Sequence, residues 1–157
     1  VQAEEKIQIR ENKILRLSKV LIRDIPRNEL INEEKIQVMI RNYIISKGTA
    51  VSGPSITFSG MAVGAKGQKQ TITKLMFQLK HTITVESPYK FQETIRAENC
   101  LFARFTEKME NLQYAYHKLM VHAFERDMKL SGQTYSVFVN VSEHRAVVDI
   151  FMPLHRM

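Results

Sequence analysis

The sequence predicts an α+β fold, a tandem pseudo-repeat of two β-α-β-β modules with a ligand groove between them, preceded by an N-terminal helix. Three observations predict it. Val51-Ser52-Gly53-Pro54-Ser55-Ile56-Thr57-Phe58 and Leu130-Ser131-Gly132-Gln133-Thr134-Tyr135-Ser136-Val137-Phe138 say nearly the same thing twice. Each follows a helix-like stretch. Each leads into a β-rich run that ends at a proline, Pro88 or Pro153. A seam between two like halves is a common place for a ligand to bind. The expected boundaries are a linker or dimerisation helix over 1–19 and a domain over 20–157, its modules meeting near residue 88.

Residues Ala3 to Lys19 read as the first helix. Glu4 and Glu5 sit where the helix dipole favours negative charge, and Ile7, Ile14 and Leu21 are seven apart, with Leu17 beside them. That short seam fits pairing with a second helix or packing on the chain's own domain. Val20 to Ile25 reads as a strand stopped by Pro26. Asn32 can cap the next helix, with Glu33 and Glu34 in its first turn and Ile36, Met39, Ile40, Tyr43 and Ile44 as its apolar face. Lys47-Gly48 makes its exit. Ile56 to Phe58 is a strand, and Ser59 to Gln70, with three of the six glycines, is a loop or hairpin tip. Thr71 to Glu86 is β-branched and alternating, one long strand or two.

In the second half, Phe91–Arg96 and Cys100–Phe105 read as strands around a turn at Asn99. Asn111 caps a helix to about Lys129, with Leu112, Ala115, Tyr116, Leu119, Ala123 and Phe124 inward. Tyr135–Val141 and Ala146–Met152 form a hairpin through Ser142-Glu143-His144-Arg145.

The net charge of +7 comes from lysines and arginines spread along the chain with no long run, which reads as a solvated basic surface rather than a nucleic-acid footprint. No apolar stretch is long enough for a transmembrane helix. The single cysteine, Cys100, excludes an internal disulfide and fits a reducing cytoplasm. Catalytic signatures are absent: there is no GxGxxG, Walker loop, HExxH or CxxC. His117 and His122 share a helix at i, i+5, which points them to different sides, so no metal site is expected. Cys100 reads as a small buried hydrophobe rather than a nucleophile. No catalytic residue and no cofactor is assigned.

One acidic residue stands out. Ala146 to Met152 is apolar except for Asp149, which shares a strand face with Val147 and Phe151, while Val148, Ile150 and Met152 face the helices. A carboxylate among apolar neighbours must be paired, protonated or open to a cation. A salt bridge to one of the 23 lysines and arginines, or an edge strand that leaves Asp149 wet, is the plain explanation, and a ligand cation is the other. Aligning Pro88 with Pro153 sets Glu86 opposite Phe151 and Thr84 opposite Asp149. Phe102, Phe105, Tyr135 and Phe151 lie on nearby strands, and an acid among rings suits a lipophilic cation. Each of these rings can equally be core.

Leu101-Phe102-Ala103-Arg104-Phe105-Thr106, Glu110 to Leu119, Ser131-Gly132-Gln133-Thr134-Tyr135 and Val148-Asp149-Ile150-Phe151-Met152-Pro153-Leu154 together resemble the gyrase-inhibitor-like effector-binding domain found at the C-terminus of AraC-type and mercury-resistance-regulator (MerR) type transcription factors. Ile22-Arg23-Asp24-Ile25-Pro26 and Ser52-Gly53-Pro54 fit the same pattern, so the resemblance covers about residues 20 to 154. It implies two modules sharing a groove for a small amphipathic ligand, and, in multidrug sensors, an acid in the last strand that meets cationic drugs, the position of Asp149. It implies further that the N-terminal helix pairs two regulators as a homodimer, and that DNA is met only through a reader domain outside these residues. Two departures stand out. Glu107-Lys108-Met109 replaces the usual Gly-Pro-Tyr, leaving Met109 as a plastic contact, and the acid is Asp rather than Glu.

The expected function is therefore effector binding and dimerisation within a MerR-type regulator, in the cytoplasm and away from membranes. Asp149 and Glu86 would supply charge, and Tyr135, Phe102, Phe105, Phe151 and Met109 would supply contact area. A stand-alone binding module of the same fold is the alternative. A small-molecule hydrolase with Asp149 as base, helped by Tyr135 or Glu86, is the third reading, and the chain is not expected to be an enzyme.

Overall fold

A computed structural model describes residues 7–26 and 32–155. The elements run β1 (Ile9–Ile25), α1 (Glu33–Ser46), β2 (Ser55–Val63), β3 (Lys69–Gln78), β4 (Tyr89–Phe105), a 3-10 turn (Met109–Asn111), α2 (Leu112–Glu125), β5 (Thr134–Val141) and β6 (Ala146–Pro153). The fold is α+β, and the strand pairs described below are antiparallel. The chain divides into two compact units. One is Arg16–Ile95; the other gathers Leu15 and the residues before it with Arg96 and those after it. The division falls inside β1 and β4, so each of these long strands gives one end to each unit.

In the Arg16–Ile95 unit, β1 pairs with β3 from Val20↔Gln78 to Ile25↔Thr73, and β3 pairs with β2. Leu21 and Ile25, four apart, and Leu75 and Phe77, two apart, fall at even spacings and so share the face that meets Ile36, Ile40 and Ile44 of α1. Those isoleucines are four apart, one stripe of a helix. Met39, expected with them, is 53% exposed, and Asn32 stands at the N-cap without a side-chain cap hydrogen bond.

In the second unit, β4 pairs with β6 from Cys100↔Pro153 to Phe105↔Val148, and β6 pairs with β5. Leu101, Ala103 and Phe105 of β4 join Val148, Ile150 and Met152 of β6 beneath Ala115, Leu119 and Ala123 of α2. Tyr116 of α2 and Ser136 of β5 share a 2.6 Å hydroxyl–hydroxyl hydrogen bond, which keeps the buried Ser136 satisfied. Glu11 of β1 reaches α2, accepting at 2.9 Å from His122 Nε2 when that nitrogen carries the proton.

The units carry the same register details. Lys19 and Asn99 both take φ of +52°, and their carbonyls accept from Leu79 N–H (2.8 Å) and Leu154 N–H (3.1 Å). Ser52 N–H donates to Gln78 O, and Ser131 N–H to Pro153 O. The residue matching Pro153 is therefore Gln78, not Pro88. Phe151 is matched by Met76 and Asp149 by Lys74, which corrects the alignment that sets Glu86 opposite Phe151.

Other expectations change as well. The helix read over Ala3–Lys19 is a strand from Ile9 onward, and Ala3 to Lys6 lie outside the described residues. The seven-residue spacing misleads, because Ile14, the middle of that seam, is 50% exposed while Leu15 and Leu17 are buried between exposed neighbours. That is a period of two. A dimer seam of paired helices therefore has no basis from Ile9 on. Asn99 does not turn the chain back: β4 runs through it as one strand, the left-handed residue being absorbed as an irregularity. The expected strand to Glu86 stops at Gln78, and the loop expected over Ser59–Gln70 shrinks to 64–68 because β2 and β3 extend into it. α2 ends at Glu125, with Asp127 in the left-handed region just beyond, and Phe124 points outward at 84% exposure. The β5–β6 hairpin forms where the sequence puts it.

Candidate functional site

Antiparallel partners place their side chains on one face, so the register of β4, β6 and β5 defines a surface. Tyr135 opposes Phe151, and Phe151 opposes Phe102; one step along, Val137 opposes Asp149, and Asp149 opposes Arg104. This face is the one turned away from α2. It carries an aromatic row, Tyr135–Phe151–Phe102, and beside it a row with one ion pair. The Phe102 and Phe151 rings lie 4.9 Å apart at 57°, a tilted pair.

Arg104 grips Asp149 at two points, Nε donating to Oδ1 at 2.7 Å and Nη2 to Oδ2 at 2.8 Å. The Asp149 side chain is 14% exposed and that of Arg104 is 55% exposed. The pair is therefore a shielded carboxylate under a wet guanidinium. The hydrogen bonds to Asp149, and then its charge, push Arg104 further up from its ordinary value. Of the explanations open to an acid in this strand, the salt bridge is realised.

Two clefts flank the aromatic row. A larger one of roughly 690 Å³ is lined by Tyr135 together with Arg96, Asn99, Ser131, Gln133 and His155, among others. A smaller one of roughly 320 Å³ is lined by Gln8, Arg10, Lys13, Phe102 and Arg104. Tyr135 is nearly buried at the first cleft; burial, and then the neighbouring Cys100, push its phenol up. Cys100 is fully buried, which pushes its thiol up to about 11 and keeps it protonated at neutral pH.

The remaining expected contacts lie elsewhere. Phe105 is on the opposite face of β4, wholly buried under α2, because it stands an odd number of residues from Phe102. That corrects its assignment as a ligand contact. Met109 opens the 3-10 turn, 37% exposed, and lines neither cleft. Glu86 belongs to the Arg16–Ile95 unit, on an irregular segment after β3, and is not in a strand. There Tyr43 OH donates to its Oε1 at 2.6 Å and Lys47 Nζ to its Oε2 at 3.0 Å, while the Tyr43 and Tyr89 rings stack at 3.8 Å. Sequence reasoning passed over Arg104, Lys13 and Arg10. The available signal was a single charge in each of two apolar runs, Arg104 within Cys100–Phe105 of β4 and Asp149 within β6, of opposite sign.

The Tyr43 and Lys47 hydrogen bonds hold the Glu86 carboxyl below the ordinary carboxylate range, Tyr43 contributing most. A carboxyl lowered in the folded state stabilises the protein above its unfolded value, and that contribution is lost as pH falls through the folded one. Glu86→Gln should therefore leave acidic melting temperatures closer to those at neutral pH, seen as a shallower slope of Tm against pH in the acid limb. The change should be small, since Glu86 is solvent-exposed.

Among the described residues no three His, Cys, Asp or Glu side chains come together in a way that could hold a metal ion. No helix among them is long and apolar enough to cross a membrane.

No family model matches the chain, and no curated protein matches it. Solved structures do. A cryo-EM structure of an EcmrR–DNA complex in EcmrR-RPo is similar over 96% of this chain, with a TM-score of 0.72 and 14% identity. The chain spans 58% of that EcmrR chain. The structure of SAV2435 bound to tetraphenylphosphonium is similar over 96% of this chain and 94% of that one, with a TM-score of 0.53 and 9% identity. At such identities the likeness is one of fold.

Proposed function

We propose that the chain is the small-molecule effector-binding part of a transcriptional regulator of MerR type. The carrying observation is the aromatic row Tyr135–Phe151–Phe102, with one cleft at Tyr135, another at Phe102 and the Arg104–Asp149 ion pair in the next row. Tyr135 and Phe151 are almost covered, so a ligand ring reaches this row through the clefts at Phe102 and Tyr135, which suits the ring system of an amphipathic molecule. The matched hydrogen bonds around Lys19 and Asn99 support reading the two units as copies of one β-α-β-β module. The likeness to the EcmrR and SAV2435 structures is in keeping with both halves of the reading, regulation and ligand capture. DNA contact and homodimerisation would belong to the whole regulator. Ligand binding would act by favouring one of two states of that assembly.

A stand-alone binding protein is the second reading; the SAV2435 structure, bound to tetraphenylphosphonium, is matched over 94% of its own chain. A hydrolase with Asp149 as base is the third reading; Arg104 donates to both of its carboxylate oxygens, which leaves less room there for a substrate proton.

Thermal shift and calorimetry with ring-bearing amphipaths test the binding reading. Phe102→Ala should weaken a bound aromatic probe by about tenfold while leaving the melting temperature of the free protein little changed, since Phe102 is only partly buried. If no such probe raises the melting temperature of the wild type, the binding reading fails. Occupancy of a promoter by the full-length protein, with and without the probe, separates the regulator from the stand-alone module.

A further inference from the structure

The small cleft beside Phe102 is cationic, and its geometry points to an anion rather than a cation as the charged end of the ligand. We infer that Gln8, Arg10, Lys13 and Arg104 form a subsite for a carboxylate, sulfonate or similar oxyanion carried on an aromatic ring, the ring lying against Phe102. This deepens the effector-binding reading and rests on it.

Three cations line the cleft, and Asp149 is the one carboxylate that the structure pairs with any of them among the described residues. The nearby acids are committed elsewhere. Glu11 is held by His122 at 2.9 Å with Arg126 at 3.9 Å, and Glu98 by Arg96 at 2.8 Å. An incoming cation would have to take Asp149 from a two-point grip and do so against Arg10 and Lys13. An incoming oxyanion meets no such competition. A guanidinium has five N–H bonds, and the grip on Asp149 uses two of them, so Arg104 can donate to a ligand oxygen without releasing Asp149. Asp149 is then a positioning residue that aims Arg104, not the group that meets the ligand.

The backbone of β1 is shaped to bring the cations together. Arg10 and Lys13 are three residues apart, and in a regular strand they would face opposite sides. Asn12 between them takes φ of +58°, a left-handed conformation that asparagine tolerates better than most residues. That residue acts as a bulge and turns Lys13 onto the face of Gln8 and Arg10. Lys13 Nζ then lies 5.6 Å from the centre of the Phe102 ring, at the boundary between the aromatic row and the polar cleft. The roughly 320 Å³ cleft holds about one bicyclic ring with its acid group.

The test uses three probes with one ring system: naphthalene-2-carboxylate, 2-naphthylmethanol and 2-naphthylmethylammonium, titrated calorimetrically at two salt concentrations. The carboxylate should bind about tenfold tighter than the ammonium and should weaken with salt. Arg10→Gln combined with Lys13→Gln should remove most of that preference and leave the neutral alcohol's affinity unchanged. Both side chains are at least partly exposed, so the free variant should melt as the wild type does. Preference for the ammonium, or an anion affinity indifferent to the double substitution, overturns the oxyanion subsite and leaves effector binding standing. Binding of none of the three overturns both.

Discussion

Phe105→Ala should cost about 3–5 kcal/mol of stability, the largest loss expected from any single change discussed for this chain. Phe105 is fully buried where β4, β6 and α2 meet, packed with Leu101, Ala103, Val148 and Leu119. Two of its partners on α2, Ala115 and Ala123, are already small and cannot reach in to fill the void. Urea unfolding should show a lower midpoint with an unchanged slope, the mark of lost stability rather than altered compactness. A loss below about 1 kcal/mol would mean that the strand face collapses onto α2 far more readily than this packing implies.

The second large effect is an asymmetry. Arg104→Met should cost about 2–3 kcal/mol, whereas Asp149→Asn should cost roughly 1 kcal/mol, although both break the same pair. Removing the arginine strands a carboxylate that is 14% exposed, between Val147 and Phe151 on its own face, where little of it can be solvated in place of its donors. Replacing the carboxylate leaves a guanidinium that is 55% exposed and solvated, next to an amide that still accepts one hydrogen bond. Equal losses in thermal denaturation of the two variants would show that solvent reaches Asp149 freely once Arg104 is gone.

How far the fold is legible in the sequence depends on where the information sits. The β5–β6 hairpin is legible because alternation, a Ser131-Gly132 break and a polar four-residue turn all agree. Ala115, Leu119 and Ala123 of α2 follow from spacing alone. β1 is not legible as a strand, since Ile7, Ile14 and Leu21 satisfy a helical seam as well as a strand does. Only burial of Leu15 and Leu17 between exposed neighbours separates the two. Residues whose φ is positive are hidden for a related reason: Lys19 is not a residue type that announces a left-handed backbone.

The site divides in the same way. That Asp149 shares a face with Phe151, and lies opposite the positions under α2, follows from a period of two and is realised in β6. Its partner does not follow, because Arg104 is 45 residues away in the chain and only the β4–β6 register brings them together. Phe102 and Phe105 stand on opposite faces by alternation along β4, and the packing under α2 shows that Phe105 is the buried one. Glu86 was drawn toward the site by aligning two prolines, an argument the hydrogen bonds around Lys19 and Asn99 replace with a ten-residue shift, Gln78 standing where Pro88 was set.

The left-handed residues at Lys19 and Asn99 bear on how this chain can change over generations. A strand interrupted by one such residue reverses the facing of everything beyond it. Losing a single codon there would take Leu21 and Ile25 off the face that packs on α1, or Leu101 and Phe105 off the one under α2, while exchanging Lys19 for asparagine or glycine would leave every register intact. At these two points the molecule tolerates spelling changes and not changes of length.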